Sequence, residues 1–320
     1  MKDKKTLSGI FLLILCAVLL LFAVSYLSFL EDMRSAEERL SASELLTTPY
    51  GDIEYAVQGE GTPVLLLHGA GGGFDFGLWS ARVFFGDSHK IISVSRYGYL
   101  RSPVPENASI RNQAGQYASL LNHLNISKVV VAGASAGGPS AMQFANDYPG
   151  RCSELILISA VSRPEPPGDE EPVYIKIIHV IQQSDYSYWL FTRFGQSTIL
   201  DLMGIPQGVY ANFTPEQKQY AQEMLDVMHP MTLRYKGTMN DAEMLRAGPV
   251  STENITCPVL IIHAKDDALV NYSHALNAHE KIPQSELVVY DTGGHAMLSQ
   301  ADPARQVIEQ FLSQSGQNTI

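Results

Sequence analysis

At 320 residues, with 45% hydrophobic residues and a net charge of −11, the chain is long enough for one large α/β domain or two smaller ones. That apolar share speaks against a multi-pass membrane protein, and the acidity, with no basic run beyond the N-terminus, speaks against nucleic acid as a partner. The three cysteines, Cys16, Cys152 and Cys257, fall in no CxxC or metal-type spacing, so neither a disulfide framework nor a metal site is expected.

Lys2, Lys4 and Lys5 precede an uncharged apolar run from Gly9 to Leu30. As a helix rising about 1.5 Å per residue, this run reaches roughly 33 Å, enough to cross a bilayer core. Ala23-Val24-Ser25 offers a small-residue cleavage site, so a cleaved signal peptide is the alternative. The run continues past that site through Tyr26, Leu27, Phe29 and Leu30, which favours a retained anchor over residues 1–30. Leu13, Ile14 and Leu15 before Cys16 lack the small residues of a lipoprotein site. The lysine-rich start and the net acidic far side (Glu31, Asp32, Arg34, Glu37, Glu38, Arg39) leave the N-terminus cytoplasmic and the folded part extracytoplasmic. Five Asn-x-Ser/Thr triplets (Asn107, Asn125, Asn212, Asn254, Asn271) are compatible with export but decide nothing. Residues 31–49 read as a polar, helix-prone spacer before a domain spanning 50–320.

Short apolar runs then alternate with helical stretches. Ile53 to Val57 alternates like a half-exposed strand, and Pro63 to Leu67 is continuous like a buried one. Further runs lie at Lys90 to Val94, Lys128 to Ala132, Glu154 to Ile158, Pro258 to Ile262 and Glu286 to Tyr290. Helical periodicity marks Ile110 to Leu124, Gly138 to Tyr148, Tyr272 to Ile282 and Pro303 to Ser313. The pattern predicts an α/β fold, a mostly parallel sheet covered by helices. Residues 162–250 carry no strand signal, only a Pro-rich entry at 163–168 and helical segments with Tyr174, Tyr186, Tyr188, Trp189, Phe191, Phe194, Tyr210 and Phe213. This insertion reads as a helical cap over the carboxyl edge of the sheet, its aromatics forming mostly the cap's own core and in part a pocket.

Gly133-Ala-Ser135-Ala-Gly137 follows the run Val129 to Ala132 and precedes a helix. A lone GxSxG is weak, with about 0.2 matches expected by chance in such a chain. Between strand and helix it becomes a strained turn that lifts a serine hydroxyl above the sheet, near the free N–H groups of a helix start. A serine needs a base, and His295 in Thr292-Gly-Gly-His-Ala is the one histidine presented by a glycine-flanked loop. The base needs a carboxylate; Asp266 or Asp267, just after the run Pro258 to Ile262, supplies it, the other being a solvated turn residue. His68-Gly-Ala-Gly-Gly-Gly73 lacks the Lys-Ser/Thr ending of a phosphate loop. It reads instead as the source of an oxyanion donor, from Ala70 or Gly71, paired with Ala136, while His68 braces the loop.

These four motifs, in this order, resemble the α/β-hydrolase fold family with a helical cap, over roughly Tyr50 to Leu312. The resemblance implies a Ser135–Asp267–His295 triad with Ala70 and Ala136 as oxyanion donors. Asp267 is chosen over Asp266 because Val270 stands three residues later, as is usual in that family. The family's Asp-x-Arg-Gly-x-Gly-x-Ser segment is replaced by Ser95-Arg-Tyr-Gly-Tyr-Leu-Arg-Ser102, a departure that blocks assignment to a subfamily. The expected activity is hydrolysis of an ester-like bond in a small apolar or aromatic substrate, without cofactor or metal. C–C bond cleavage of a diketone-like substrate or lactone opening on the same triad, and a membrane-tethered ligand-binding protein with little turnover, are the alternatives.

Overall fold

The computed structural model describes residues 2–164, 173–248 and 250–317. It divides into two units, Met1–Ser41 and Ala42–Ile320. The first is a single helix, α1 (Lys2–Leu40). From Ser8 to Leu40 it is long and apolar enough to cross a membrane, and a helix of this kind near an N-terminus serves as an anchor or as a signal sequence.

The helix-prone spacer expected over 31–49 is helical in its first part, and its last part joins the sheet. Residues 31–40 contain good helix formers and neither Gly nor Pro, so the helix runs on to Leu40. Glu44–Thr48 then form an edge strand, β1, antiparallel to β2 (Gly51–Gln58), with Leu46 opposite Ile53. The sheet therefore begins before residue 50.

In the second unit β2 pairs antiparallel with β4 (His89–Ser95), and β4 pairs parallel with β3 (Thr62–Leu67). Parallel pairing continues through β5 (Val129–Ala134), β6 (Cys152–Ile158), β7 (Val259–Ala264) and β8 (Ser285–Tyr290). The order is β1-β2-β4-β3-β5-β6-β7-β8. Continuous apolar runs build the middle strands because both faces are covered: Val64, Leu65, Val130, Val131, Leu155, Ile156, Leu260 and Ile262 are all fully buried. Each such side chain contributes about 1.5–3 kcal/mol relative to exposure.

Helix α2 (Phe74–Phe84) follows β3, α3 (Ile110–His123) follows β4, and α4 (Gly138–Asp147) follows β5. Ser109 caps α3 by accepting from the Asn112 N–H. The insertion between β6 and β7 holds α5 (Val173–Gln182), α6 (Asp185–Phe194), α7 (Gln196–Leu202), α8 (Gln207–Ala211), α9 (Pro215–Val227) and α10 (Thr232–Arg246). Its described residues contain no strand; the Pro-rich entry beyond Pro164 and the Tyr174 side chain lie outside them. Helices α11 (Ser273–Lys281) and α12 (Ala301–Gln317) complete the unit.

One face of the sheet packs on α3, α4 and α11, and the other on α2 and α12. The second core is continuous with the insertion, because Tyr188, Leu200, Phe213, Met224 and Met228 belong to the same buried cluster as Trp79, Phe84, Ile156 and Ile308. The cap thus shares its core with the sheet instead of having one of its own. Phe194 is 77% exposed and takes no part in that core.

Candidate active site

Ser135 sits where β5 ends and a single 3-10 turn, Ser135–Gly137, leads into α4. Its φ of 49° is left-handed, a conformation that costs a non-glycine residue about 1–2 kcal/mol and marks a tight functional turn. The flanking glycines permit the turn. A Cβ on Gly137 would lie 2.1 Å from the Leu67 carbonyl oxygen, and one on Gly133 2.6 Å from the Ala141 Cβ. The loop after β3 comes equally near, since a Cβ on Gly69 would stand 2.9 Å from the Ser135 Cβ.

His295 Nε2 is 2.9 Å from Ser135 Oγ, and His295 Nδ1 is 2.9 Å from Asp267 Oδ2. An ionised carboxylate only accepts, so Nδ1 carries the proton and Nε2 presents a lone pair to the serine hydroxyl. The Asp267 side chain has no exposed surface, and its Oδ1 accepts from the N–H groups of Leu269 (2.9 Å) and Val270 (2.8 Å). Burial alone would raise this carboxyl. His295, His263 and the Val270 N–H outweigh it and hold Asp267 well below the usual carboxylate range. Asp267 therefore stays charged.

Asp266 is not the solvated turn residue expected from the sequence. Its Oδ1 accepts from both Gly293 N and Gly294 N at 2.9 Å, fastening the loop that carries His295. The insertion holds the same loop, because Gly204 O accepts from His295 N at 2.9 Å. His263, one turn's reach from the acid, lies 3.3 Å from Asp267 Oδ2 and bonds Val270 O at 2.8 Å. No sequence motif pointed to Gly204 or His263; only the fold brings them here.

The structure bears out the reading of His68 as a brace. His68 Nε2 accepts from Arg96 N (3.1 Å), its Nδ1 faces Gly69 O at 2.6 Å, and its carbonyl accepts from Arg96 Nε at 2.7 Å. Burial and the Arg96 cation push its pKa well down, so the ring is neutral. The divergent 95–102 segment has its own logic. Leu100 stands at φ 51° where the family pattern has its second glycine, and Ser95 donates to the buried Glu54 at 2.8 Å.

Two chambers meet at Ser135, sharing Ala70, Met203, Met228 and Leu269 as walls. The smaller, about 100 Å³, is lined by Phe76, Trp79, Phe84, Met224 and His295. The larger, about 260 Å³, is lined by Ile178, Ile181, Tyr188, Ile199 and Met231. Ala136 follows Ser135 directly and, with Ala70, borders a third cavity. The sequence-predicted residues Ser135, Asp267, His295, Ala70 and Ala136 thus converge. The insertion was expected to give part of its aromatics to a pocket, and most of the aromatic wall comes instead from α2. Among the described aromatics named for the cap, only Tyr188 lines a chamber, while Phe76, Trp79 and Phe84 come from α2. The spacing Phe76, Trp79, Val83 was the available signal for that helix.

Comparison with known proteins agrees with this architecture. The model of the alpha/beta hydrolase fold family matches residues 62–302. The uncharacterized hydrolase YcgS of Bacillus subtilis (strain 168) is 30% identical over 266 residues, covering 79% of this chain and 91% of that protein. An alpha/beta hydrolase fold protein from Nakamurella multipartita superposes with a TM-score of 0.74 at 24% identity, covering 86% and 99% of the two chains. A thermophilic esterase from Thermogutta terrifontis gives a TM-score of 0.63 at 25% identity, covering 85% and 98%. Meta-cleavage hydrolases and an enol-lactonase are also among the similar proteins. By sequence, sheet order and placement of the serine turn, this chain belongs to the α/β-hydrolase fold family and is a hydrolase.

Proposed function

We propose that the protein is a serine hydrolase acting on an ester-like bond of a small apolar or aromatic substrate, tethered to a membrane by α1. The observation that carries this reading is the Ser135–His295–Asp267 relay at the junction of two chambers lined mainly by apolar side chains. Ser135 Oγ attacks the carbonyl carbon as His295 Nε2 takes its proton. Asp267 keeps the ring in the right tautomer and stabilises the imidazolium. The N–H groups of Ala70 and Ala136 hold the oxyanion of the tetrahedral intermediate. His295 gives the proton to the leaving alkoxide, an acyl-serine remains, and water attacks it by the same relay run with His295 as base again. The cycle needs no cofactor. The aliphatic, methionine and aromatic walls favour an apolar acyl or aromatic group.

The kinship with meta-cleavage hydrolases and an enol-lactonase supports a second reading, C–C cleavage or lactone opening by the same residues. A panel of p-nitrophenyl esters of increasing chain length, with lactones and meta-cleavage diketones alongside, separates the readings. Ester turnover by the wild type is expected, with kcat falling by roughly 10³-fold or more in Ser135→Ala and Asp267→Asn. Ligand binding that survives Ser135→Ala, with negligible turnover by the wild type on every substrate, would mark a binding protein instead.

A further inference from the structure

The third cavity, about 200 Å³, is lined by Ala70 and Ala136 together with Arg96, Gln113, Thr238 and Asp241. It shares Ala70, Val161 and Thr238 as walls with the larger chamber. The space is several times the roughly 30 Å³ that a water occupies in the liquid. Its polar wall is unusual. Gln113, on α3, is fully buried, yet both its amide nitrogen and its amide oxygen lack a hydrogen-bond partner among the described residues. A buried amide with both ends unmade is costly, and it calls for a group that accepts at one end and donates at the other.

The neighbouring ion pair says what that group is not. Arg96 Nη1 and Nη2 donate to Asp241 Oδ1 and Oδ2 at 2.5 and 2.6 Å, and Arg96 Nε donates to His68 O at 2.7 Å. Each guanidinium nitrogen already makes one of these bonds and Asp241 balances the charge, so no spare cation awaits an anion, and the Asp241 carboxylate repels one. Thr238, whose hydroxyl contacts in the wall are long (3.4 and 3.5 Å), adds a further hydrogen-bonding atom.

We propose that this cavity is a polar subsite in which Gln113 reads a neutral donor–acceptor group, a primary carboxamide, at one end of the substrate. It rests on the reading that Ser135 performs acyl transfer and narrows the substrate class to one with an apolar body and an amide-like end. The probes are pentanamide and pentanoate as inhibitors of p-nitrophenyl acetate hydrolysis by the full chain, wild type and Gln113→Leu. The amide should bind the wild type at least about tenfold more tightly than the carboxylate, as one well-made hydrogen bond in a buried site allows. That preference should vanish in Gln113→Leu. Equal inhibition of the wild type by the two probes, which needs no variant, overturns the proposal, as does a preference that survives Gln113→Leu. If no ester is turned over and Ser135 takes no acylating label, the acyl-transfer reading is what fails. The subsite is then judged by thermal shift: pentanamide raising the Tm of the wild type but not of Gln113→Leu supports it, and equal shifts overturn it.

Discussion

Side chains around the site are fixed by bonds that leave little choice of protonation state. His68 shows this most simply, since its two ring nitrogens are occupied by Arg96 N and Gly69 O and the ring is buried next to a guanidinium. Its folded pKa lies well below the ordinary value of about 6.5. As pH falls below that value, the unfolded chain takes up a proton that the folded chain refuses, so stability drops. Urea unfolding followed from pH 7 to pH 5 should show this loss, with a slope of up to about 1.4 kcal/mol per pH unit from this residue. His68→Gln, which keeps an acceptor for Arg96 N, should flatten that part of the slope; an unchanged slope would remove His68 from the account. Asp267 acts lower on the scale. Its depressed pKa contributes stability that is fully present above about pH 4 and is lost as pH falls through the folded value. The proposed triad was legible because Ser135, His295 and the Asp266-Asp267 pair each sit in a short local pattern, with the family resemblance choosing Asp267. Asp266 was misread because its partners, Gly293 and Gly294, come from a loop remote in sequence.

Among the elements, α10 ties the insertion to the sheet unit through two buried ion pairs. Arg234 donates to Asp75 of α2 at 3.0 and 2.8 Å, with both side chains essentially unexposed. Two turns on, Asp241 accepts from Arg96 and from Tyr99 Oη. A core acid meets a cap base and a core base meets a cap acid, so the docking has one register. Replacing Arg234 by Met takes the guanidinium from a buried carboxylate and should cost about 3–5 kcal/mol. Adding Asp75→Leu should recover most of it, because burying two charges costs nearly as much as their attraction returns. Urea unfolding of the single and double variants checks this; a single variant within 1 kcal/mol of wild type would show the pair to be dispensable. The sequence could reveal neither pair, their members lying 159 and 145 positions apart. The middle strands were legible because strands covered on both faces must be unbroken apolar runs. Two elements were not: β1 has exposed and half-exposed residues at most of its positions, and α2 mixes aromatics with Gly77.

At the scale of the molecule, a hydrolase unit follows an apolar N-terminal helix in a chain of net charge −11. We propose from the lysine-rich N-terminus and the net acidic sequence after the span that this unit lies on the extracytoplasmic side. Expressed in full, the chain should sediment with membranes, withstand alkaline carbonate washing, and expose its folded unit to protease added outside intact spheroplasts. Recovery as a soluble protein beginning after residue 25 would mean that the helix is a cleaved signal. The claim on which all else depends is that Ser135 is a nucleophile activated by His295. Its most direct test is intact-mass and peptide analysis of the full-length protein treated with a fluorophosphonate. One adduct is expected, on Ser135, absent from heat-unfolded protein and from Ser135→Ala. A folded wild type that stays unlabelled, or carries the adduct at another residue, would contradict it.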